Sequence, residues 1–533
     1  MTLASANTVR SDMLSDMTRW MLTPVRWPWL LRLHLVIIAV SLATGLWTAY
    51  CGFMVNRDAI TFFTAAEAFA EGRVADALEA YKWPGYPLLL AIVVWLGAPT
   101  LYIAAQTVSI LSVLAIQLGL IGIARRLGLP AQIVVLVGLL AIAHPGLIEH
   151  RGLVIRDVPY AAWFVLTVYC AVRGTQEGIL IWGALALIAA LVATSFRLEG
   201  AVLVAFVPLL LLLSNAQRGA WKALLILVGL VLCAFPAAAV GLWLGRVDLG
   251  GLFQDGLAAG IDQLRGLLNW HLSFDNPRMV ALRDEVLWPN EYGNAKDVYL
   301  VTFLYLTVEA LFSILFGVLF VLLLVGLGPF WAHANQTARS VLIVFGGFCT
   351  LAVYSAVLAN TYVEPRHVLA ISLVLLLPVA FGAARAMGWI SDGLGRLRLA
   401  VLMVPGVTVS LVMIGLAGMP TGQSALFLIE ASEALERLSS PDDRILTTDA
   451  RILYYADRAG RMDRRLNFAM LQGRDAVPRR NWSRFDVVVI HAEAAQRPAA
   501  DALRDRLAAH HTARISNTTG GAVVDIYDMR SDQ

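Results

Sequence analysis

Charged residues whose types could carry out chemistry lie beside the ends of long apolar segments. They include both acids and bases: Asp58, Glu149, Arg151, Arg156, Asp157, Arg197, Glu199, Glu364, Arg366 and His367. Charged groups next to hydrocarbon are costly to keep, so each is a functional candidate. A carboxylate can take a proton from an attacking hydroxyl, and an arginine can hold an anion through parallel hydrogen bonds. The mixture therefore suits a reaction with a hydroxyl nucleophile and an anionic leaving group.

The composition is that of a membrane protein. Of 533 residues, 59% are hydrophobic and 15% are charged, whereas soluble domains are about half apolar and a quarter charged. Mean hydropathy is +0.70. The net charge of +3 is too small to indicate a nucleic-acid partner. The four cysteines all lie in apolar segments, which argues against a disulfide framework.

Apolar runs of about 17–25 residues can cross a bilayer as helices. We predict spans at about 33–54, 101–123, 131–147, 158–173, 178–196, 200–214, 221–244, 300–328, 340–358, 367–386 and 399–418. A shorter run at 86–97 is more typical of a re-entrant or interfacial helix. The predicted fold is mainly α: a polytopic transmembrane helical bundle of about eleven spans with a small C-terminal α/β extracytoplasmic domain.

Basic residues give the predicted orientation. Arg19, Arg26 and Arg32 precede the first span, which predicts that the N-terminus lies in the cytoplasm. The division is then a cytoplasmic lead-in at 1–32, a membrane domain at 33–418 and an outer domain at 419–533. The membrane domain has outer loops at 55–85, 144–157 and 246–299, and shorter outer segments at Phe196–Gly200 and Asn360–His367, so all the candidate residues fall on the outer side.

Periodicity predicts the elements of the polar regions. Ala59–Ala80 in the first loop is predicted to be one amphipathic surface helix, and Asp449 is predicted to cap a helix. Helices and strands in the outer domain are predicted at Ala425–Leu438 (helix), Arg444–Thr448 (strand), Asp486–Ile490 (strand), Pro498–His510 (helix) and Ala522–Tyr527 (strand).

Five motifs in this order resemble a known family. They are Asn56-Arg57-Asp58-Ala59, Trp83-Pro84-Gly85-Tyr86-Pro87, Ile155-Arg156-Asp157-Val158-Pro159, Arg197-Leu198-Glu199-Gly200 and Glu364-Pro365-Arg366-His367. Together they resemble the GT-C membrane glycosyltransferases, in particular the bacterial protein mannosyltransferase and aminoarabinose/galacturonic-acid transferase group. The resemblance covers about 33–386. Phe62-Phe63 and His367 depart from it, since members of the group often carry Tyr at the first of these sites and carry Tyr at the second.

The resemblance implies inverting transfer of one sugar from a polyprenyl-phosphate donor to a hydroxyl of an envelope lipid, glycan or protein. The reaction would take place on the outer face of the bacterial inner membrane. Phosphate leaves as a stable anion, so one base suffices and no general acid is needed. The expected roles are Asp58 as catalytic base, Arg366, Arg197 and Arg156 on the donor phosphate, and Asp157, Glu199, Glu149 and His367 on sugar or acceptor.

Plainer interpretations stand beside these roles. Asp58 could cap its helix or pair with Arg57, and the other charges could form ion pairs at span ends. The histidines lack the spacing of a zinc site. No cofactor is assigned from the sequence, and a divalent cation shared by Asp58 and a second acid is an open alternative.

Two other functions also place charges in a polytopic bundle. A secondary transporter usually keeps them near the midplane of repeated halves, whereas here they lie at span ends and no repeat is visible. A polymerase or ligase of lipid-linked oligosaccharide shares the chemistry but takes a longer donor. A sensor would need a cytoplasmic output domain, which we do not find in the sequence.

Overall fold

The computed structural model describes most of the chain, in segments: 27–51, 55–177, 179–213, 280, 282–287, 294–360, 363–394, 423–440, 442–456, 462–465, 485–517 and 521–530. The chain forms two compact units. The first comprises Met1–Trp47 and Ala66–Leu416, and the second comprises Thr48–Ala65 and Ala417–Gln533. Residues of the first outer loop therefore group with the C-terminal region.

Helices make up the described part of the first unit, and two of them begin or end in the second. Their bounds are α1 Trp27–Cys51, α2 Arg57–Ala70, α3 Val74–Ala80, α4 Gly85–Trp95, α5 Leu101–Arg126, α6 Ala131–Ile142, α7 Pro145–His150, α8 Asp157–Gln176, α9 Ile179–Phe196, α10 Ala201–Leu213, α11 Ala295–Ile314, α12 Val318–His333, α13 Gln336–Val341, α14 Cys349–Asn360 and α15 Leu369–Leu394. Short 3-10 turns at Leu198–Gly200 and Pro365–Val368 precede α10 and α15, and a π-helical stretch, Leu342–Phe348, joins α13 to α14.

Six segments in the described part are long and apolar enough to cross a membrane. They are Leu31–Tyr50, Leu101–Arg126, Ala131–His150, Asp297–Ile314, Gln336–Tyr354 and Pro365–Gly388. The prediction of a mainly helical membrane protein is confirmed. The predicted spans at 221–244 and 399–418, most of the loop at 246–299, and Arg19 and Arg26 lie outside the described residues, so the count of about eleven and the orientation stay predictions.

Two predicted helices are each divided in the structure. The single span predicted at 300–328 is wrong, because the chain turns at Phe316 and Gly317, whose φ angles are 54° and 62°. Both residues are compatible with an apolar run, so hydropathy does not register the break. The single helix predicted at Ala59–Ala80 is also wrong. Gly72 has a φ of 77° and ends α2 in the left-handed conformation that favours glycine.

Helices α12 and α15 approach each other through two glycines. A Cβ on Gly326 would lie 1.9 Å from the carbonyl oxygen of Pro378, and one on Gly382 would lie 1.9 Å from that of Leu322. Small residues permit such close backbone approach between membrane helices. The tight crossing thus depends on both positions lacking a side chain.

The second unit contains a five-stranded sheet in the order β2-β1-β3-β5-β4. The bounds of its elements are α16 Gln423–Leu438, β1 Ile445–Thr447, α17 Ala450–Tyr455, β2 Met462–Arg465, β3 Val487–Ala492, α18 Arg497–Arg506, β4 His511–Ser516 and β5 Val523–Asp528. Strand β1 is parallel to β2 and β3, and β5 is antiparallel to β3 and β4. The predicted α/β domain is confirmed, and so are the three strands and two helices expected in it.

Residues of the first loop pack within this second unit. The backbone N–H of Val55 donates to the hydroxyl of Tyr455 at 2.6 Å. The rings of Phe63 and Tyr454 lie with their centroids 5.8 Å apart. The beginning of α2 is therefore attached to α17 of the C-terminal domain.

Candidate functional site

A buried ion network lies where α8 begins and α9 ends. Arg197 donates from Nε and Nη2 to the carboxylate of Glu199, at 3.3 and 2.7 Å. Its Nη1 donates to the carboxylate of Asp157. The side chains of Arg197 and Asp157 are 7% and 5% exposed. We call these three residues the Arg197 network.

The network fixes the protonation of two of its members. Burial acts to raise the pKa of Glu199, but the charge and hydrogen bonds of Arg197 outweigh it and lower the pKa to about 2. Burial acts to lower the pKa of Arg197, and the two carboxylates outweigh it and raise that pKa. Glu199 therefore stays ionised at neutral pH and is a weak proton acceptor, which suits orientation better than base catalysis.

Two motif glycines let the backbone pack closely around the turn that carries Arg197 and Glu199. A Cβ on Gly200 would lie 2.5 Å from the backbone nitrogen of Thr194. A Cβ on Gly85, at the start of α4, would lie 2.3 Å from the Oγ of Ser195. The Trp83–Pro87 motif thus contributes a close backbone contact rather than a charged group.

Arg156 reaches the same turn from the start of α8. Its Nη1 donates to the carbonyl oxygen of Phe196 at 3.2 Å, and its guanidinium lies 5.5 Å from the ring centroid of Tyr81. Its charge also helps to hold the pKa of Glu199 low. Adjacent residues Arg156 and Asp157 therefore bind the last residue of α9 and the turn that follows it.

The Glu364–His367 motif is brought to the network by the turn before α15. Arg366 forms an ion pair with Glu364 through Nε, and the backbone N–H of Glu364 donates to Nδ1 of His367 at 3.3 Å. His367 lies close enough to interact electrostatically with all three residues of the Arg197 network. Three motifs that are far apart in the sequence are thus assembled in one place.

Glu149 lies at the edge of this group. It is exposed on α7, and it interacts electrostatically with its neighbour His150, which also senses Asp157 and Arg366. Its predicted role in binding sugar or acceptor stays a prediction, as do the roles of the other candidates.

Asp58 is placed in the second unit. It is exposed in the first turn of α2, where a negative side chain favours the helix dipole. The guanidinium of its neighbour Arg57 lies 3.4 Å from the carboxylate of Asp449 and 3.8 Å from that of Glu493. The role of Asp58 as a base stays a prediction.

Asp449 is a member of a buried charge cluster that the sequence analysis did not find. Its side chain accepts the backbone N–H of Arg451, which confirms the predicted cap. The same fully buried carboxylate also binds the Arg451 guanidinium, at 2.6 Å from Nη2, and Nδ1 of His491, at 2.9 Å. Burial acts to raise the pKa of Asp449, and the hydrogen bonds from His491 and Arg451 outweigh it and hold the pKa well below its usual range.

The position of this cluster could have been found from strand order. Asp449 follows β1 and His491 lies near the end of β3, and these two strands are parallel neighbours. After β1 the chain continues to β2, on one side of this pair. After β3 it continues to β4 and β5, on the other side. Carboxyl ends of strands at such a switch point are where polar side chains converge in α/β sheets. The sequence analysis did not predict the short strand β2, and without it the switch point between β1 and β3 could not be located.

Within the described segments there is no group of three or more His, Cys, Asp or Glu side chains that could hold a metal ion. Arginines and single carboxylates dominate the site instead.

Comparisons with known proteins find similarity to solved structures. No family model and no curated protein matches the chain. Among solved structures, the chain is similar to ArnT from Cupriavidus metallidurans in the apo state, with 12% identity, coverage of 93% of this chain and 98% of that chain, and a TM-score of 0.42. It is also similar to the same protein bound to undecaprenyl phosphate, with 12% identity, coverage of 94% and 98%, and a TM-score of 0.41. ArnT is a GT-C glycosyltransferase, the class that the sequence motifs resemble.

Proposed function

We propose that this integral membrane protein is a glycosyltransferase that moves one sugar from a polyprenyl-phosphate donor to a hydroxyl of the cell envelope. The proposal is carried by the assembly of arginines and carboxylates around the Arg197 network. Asp157 and Arg197 are 40 positions apart and meet as a buried pair beside the ends of apolar helices. A buried ion pair usually contributes little net folding stability. A functional role is therefore the better explanation for the Asp157–Arg197 pair.

The chemistry follows from the residue types. Asp58 would take the proton of the acceptor hydroxyl, whose oxygen forms a bond to the anomeric carbon as the phosphate–sugar bond breaks. Attack from the face opposite the phosphate inverts the anomeric carbon. The phosphate leaves with the bonding electrons as a stable anion, so no general acid and no cofactor is required.

Arginines of the site would hold the donor phosphate and receive its developing charge. Arg366 and Arg156 remain the candidates from the sequence for this contact. Arg197 already donates to Glu199 and Asp157, so its part in binding phosphate would be to arrange the surrounding groups. Asp157, Glu199, Glu149 and His367 would contact sugar or acceptor hydroxyls.

A lipid donor accounts for the place of the site. The isoprenoid tail would stay in the hydrocarbon while the sugar phosphate reaches the charged residues at the helix ends. We place the protein in the bacterial inner membrane, with the N-terminus in the cytoplasm and the C-terminal domain outside. Undecaprenyl phosphate, the carrier bound in the second ArnT structure, is the carrier we would test first.

The test is transfer by purified protein in nanodiscs, with a panel of polyprenyl-phosphate monosaccharides and a crude envelope extract as acceptor. We expect one donor to be used by the wild type and transfer to fall by at least about 100-fold in Asp58→Asn, since general base catalysis contributes about 10²–10⁴-fold. Donor binding by this variant should be unchanged.

Asp76→Asn is the matched control, because Asp76 is an exposed acid on α3 that pairs with Arg73. Full transfer by Asp58→Asn would refute its role as base and make Asp157 the next residue to test. Failure to bind any donor would refute the glycosyltransferase and favour a transporter. Loss of transfer on treatment with EDTA would establish the divalent-cation alternative.

A further inference from the structure

His150 and Arg151 are buried residues with open hydrogen-bonding groups. Each is 7% exposed. Both ring nitrogens of His150, and Nε and Nη2 of Arg151, are buried without a hydrogen-bond partner among the residues that the structure describes. Imidazole carries at least one N–H in either protonation state, so all four groups are unmet donors or acceptors and at least three of them are donors. Because buried polar groups are nearly always paired in folded proteins, two adjacent residues with this property indicate a ligand.

The open atoms of Arg151 have the geometry for an oxyanion. Nε and Nη2 form the side of the guanidinium that offers two parallel N–H groups to two oxygens. Other arginines of this protein use the same pair of nitrogens on a carboxylate. These pairs are Arg197–Glu199, Arg451–Asp449, Arg514–Asp525 and Arg530–Asp528.

The backbone at Arg151 is held in place by polar side chains of α5. Ser109 donates from Oγ to the carbonyl oxygen of Arg151 at 2.5 Å, and Gln106 donates from Nε2 to that of Gly152 at 3.2 Å. Burial lowers the pKa of Arg151 to about 10, so the guanidinium is still charged at neutral pH. A fixed, buried and charged donor is therefore presented just after α7.

The residue before this donor, His150, lies beside the candidate site. His150 interacts electrostatically with Asp157 and Arg366, which places its ring near the Arg197 network, and Arg151 is the next residue along the chain. The two nearby candidates for binding phosphate are already engaged, Arg197 by two carboxylates and Arg366 by Glu364.

We propose that Arg151, assisted by His150, binds the phosphate of the polyprenyl-phosphate donor. The inference rests on the proposed function, because it names the residue that holds the leaving group of the same reaction. The two non-bridging oxygens of a phosphodiester match the side-on pair of N–H groups, and the negative charge removes the cost of a buried cation.

The test is binding of undecaprenyl phosphate to the full-length protein in nanodiscs, measured together with the stability of the ligand-free protein. We expect Arg151→Met to weaken binding by about 10- to 100-fold, as for the loss of charge-assisted hydrogen bonds. The ligand-free variant should be as stable as the wild type or more so, because it no longer buries an uncompensated charge. Arg151→Lys should be intermediate in binding, since it keeps the charge without the paired N–H groups.

Arg125→Met is the matched control, because Arg125 is an exposed arginine at the end of α5. It should bind undecaprenyl phosphate as the wild type does. Undecaprenol, which lacks the phosphate, should bind the wild type and Arg151→Met equally.

The outcomes separate the two proposals. If the wild type binds and transfers but Arg151→Met binds the carrier equally well, the role of Arg151 is refuted while the glycosyltransferase stands. If Arg151→Met is unfolded, Arg151→Lys decides: unchanged binding assigns Arg151 a structural role and overturns the inference, and weakened binding with normal stability supports it. Inorganic phosphate binding as tightly as the lipid would make this a free-phosphate site. No carrier binding by the wild type would refute the proposed function itself.

Discussion

Neutralising Glu199 tests whether the Arg197 network is as strongly coupled as its geometry indicates. The variant is Glu199→Gln, which keeps the size of the side chain and removes its charge. The pKa of Glu199 is lowered from 4.5 to about 2, and each pKa unit corresponds to about 1.4 kcal/mol of preferential interaction with the charged form. The full difference is about 3 kcal/mol. Because 25% of the side chain is exposed, solvent screening reduces it, and we expect a loss of about 2–3 kcal/mol at pH 7.

The assay is unfolding in mixed micelles by titration with SDS, followed by tryptophan fluorescence. A carboxylate whose folded pKa is depressed contributes stability that is present above its unfolded pKa and is lost as the pH falls through the folded value. The difference between wild type and variant should therefore be complete at pH 7 and smaller by about 1 kcal/mol at pH 3.5.

Glu177→Gln is the control, because Glu177 also pairs with arginines, Arg126 and Arg173, but at a more exposed position. It should change stability much less than Glu199→Gln. The reasoning is refuted if Glu199→Gln is as stable as the wild type at pH 7, or if the two differ by the same amount at both pH values.

Two further substitutions test the packing of each unit. Gly326→Ala should destabilise the protein to thermal unfolding by about 1–3 kcal/mol, since its Cβ would lie 1.9 Å from the carbonyl oxygen of Pro378. Gly328→Ala on the same helix is the control: its Cβ would meet nothing within 4 Å, so it should leave thermal stability unchanged. Asp449→Asn should cost about 3–5 kcal/mol because it leaves the largely buried Arg451 guanidinium without its anion. Because the pKa of Asp449 is held low, the stability difference between wild type and Asp449→Asn should be full at neutral pH and should shrink below about pH 3.8. Thermal unfolding at several pH values measures this difference. Asp505→Asn, whose side chain is 72% exposed, should show no such loss, and a matching loss there would contradict the explanation.

The membrane class and the grouping of the site could be predicted from the sequence. Long apolar runs require spans, and charges at the ends of those spans meet when the helices pack, as Asp157 and Arg197 do. The break at Phe316 and Gly317 could not be predicted, because a change of φ leaves hydropathy unaltered. Strand β4 was also missed: its sequence, His-Thr-Ala-Arg-Ile-Ser, is polar and only partly buried.

The ion-pair and hydrogen-bond partners of individual arginines could not be predicted from the sequence either. Arg151, Arg156, Arg197 and Arg366 are alike as letters in a sequence, and all four lie beside span ends. Only coordinates distinguish a guanidinium that is neutralised by two carboxylates from one whose donors are open. A turn of one or two residues decides this difference, and such turns depend on close backbone contacts such as those of Gly85 and Gly200.

The packing of the first loop against the last domain has a consequence for biosynthesis. Val55 and Tyr455 are hydrogen-bonded although they are 400 positions apart. At about 5–20 residues per second, a ribosome needs roughly 20–80 s to pass from one to the other. The beginning of α2, which carries Asp58, can therefore complete its packing only late in synthesis. In the proposed topology, the last domain must also have been exported by then. An unfinished chain would sit in the membrane with its proposed base not yet held in place, so activity would begin only once the whole protein had been made.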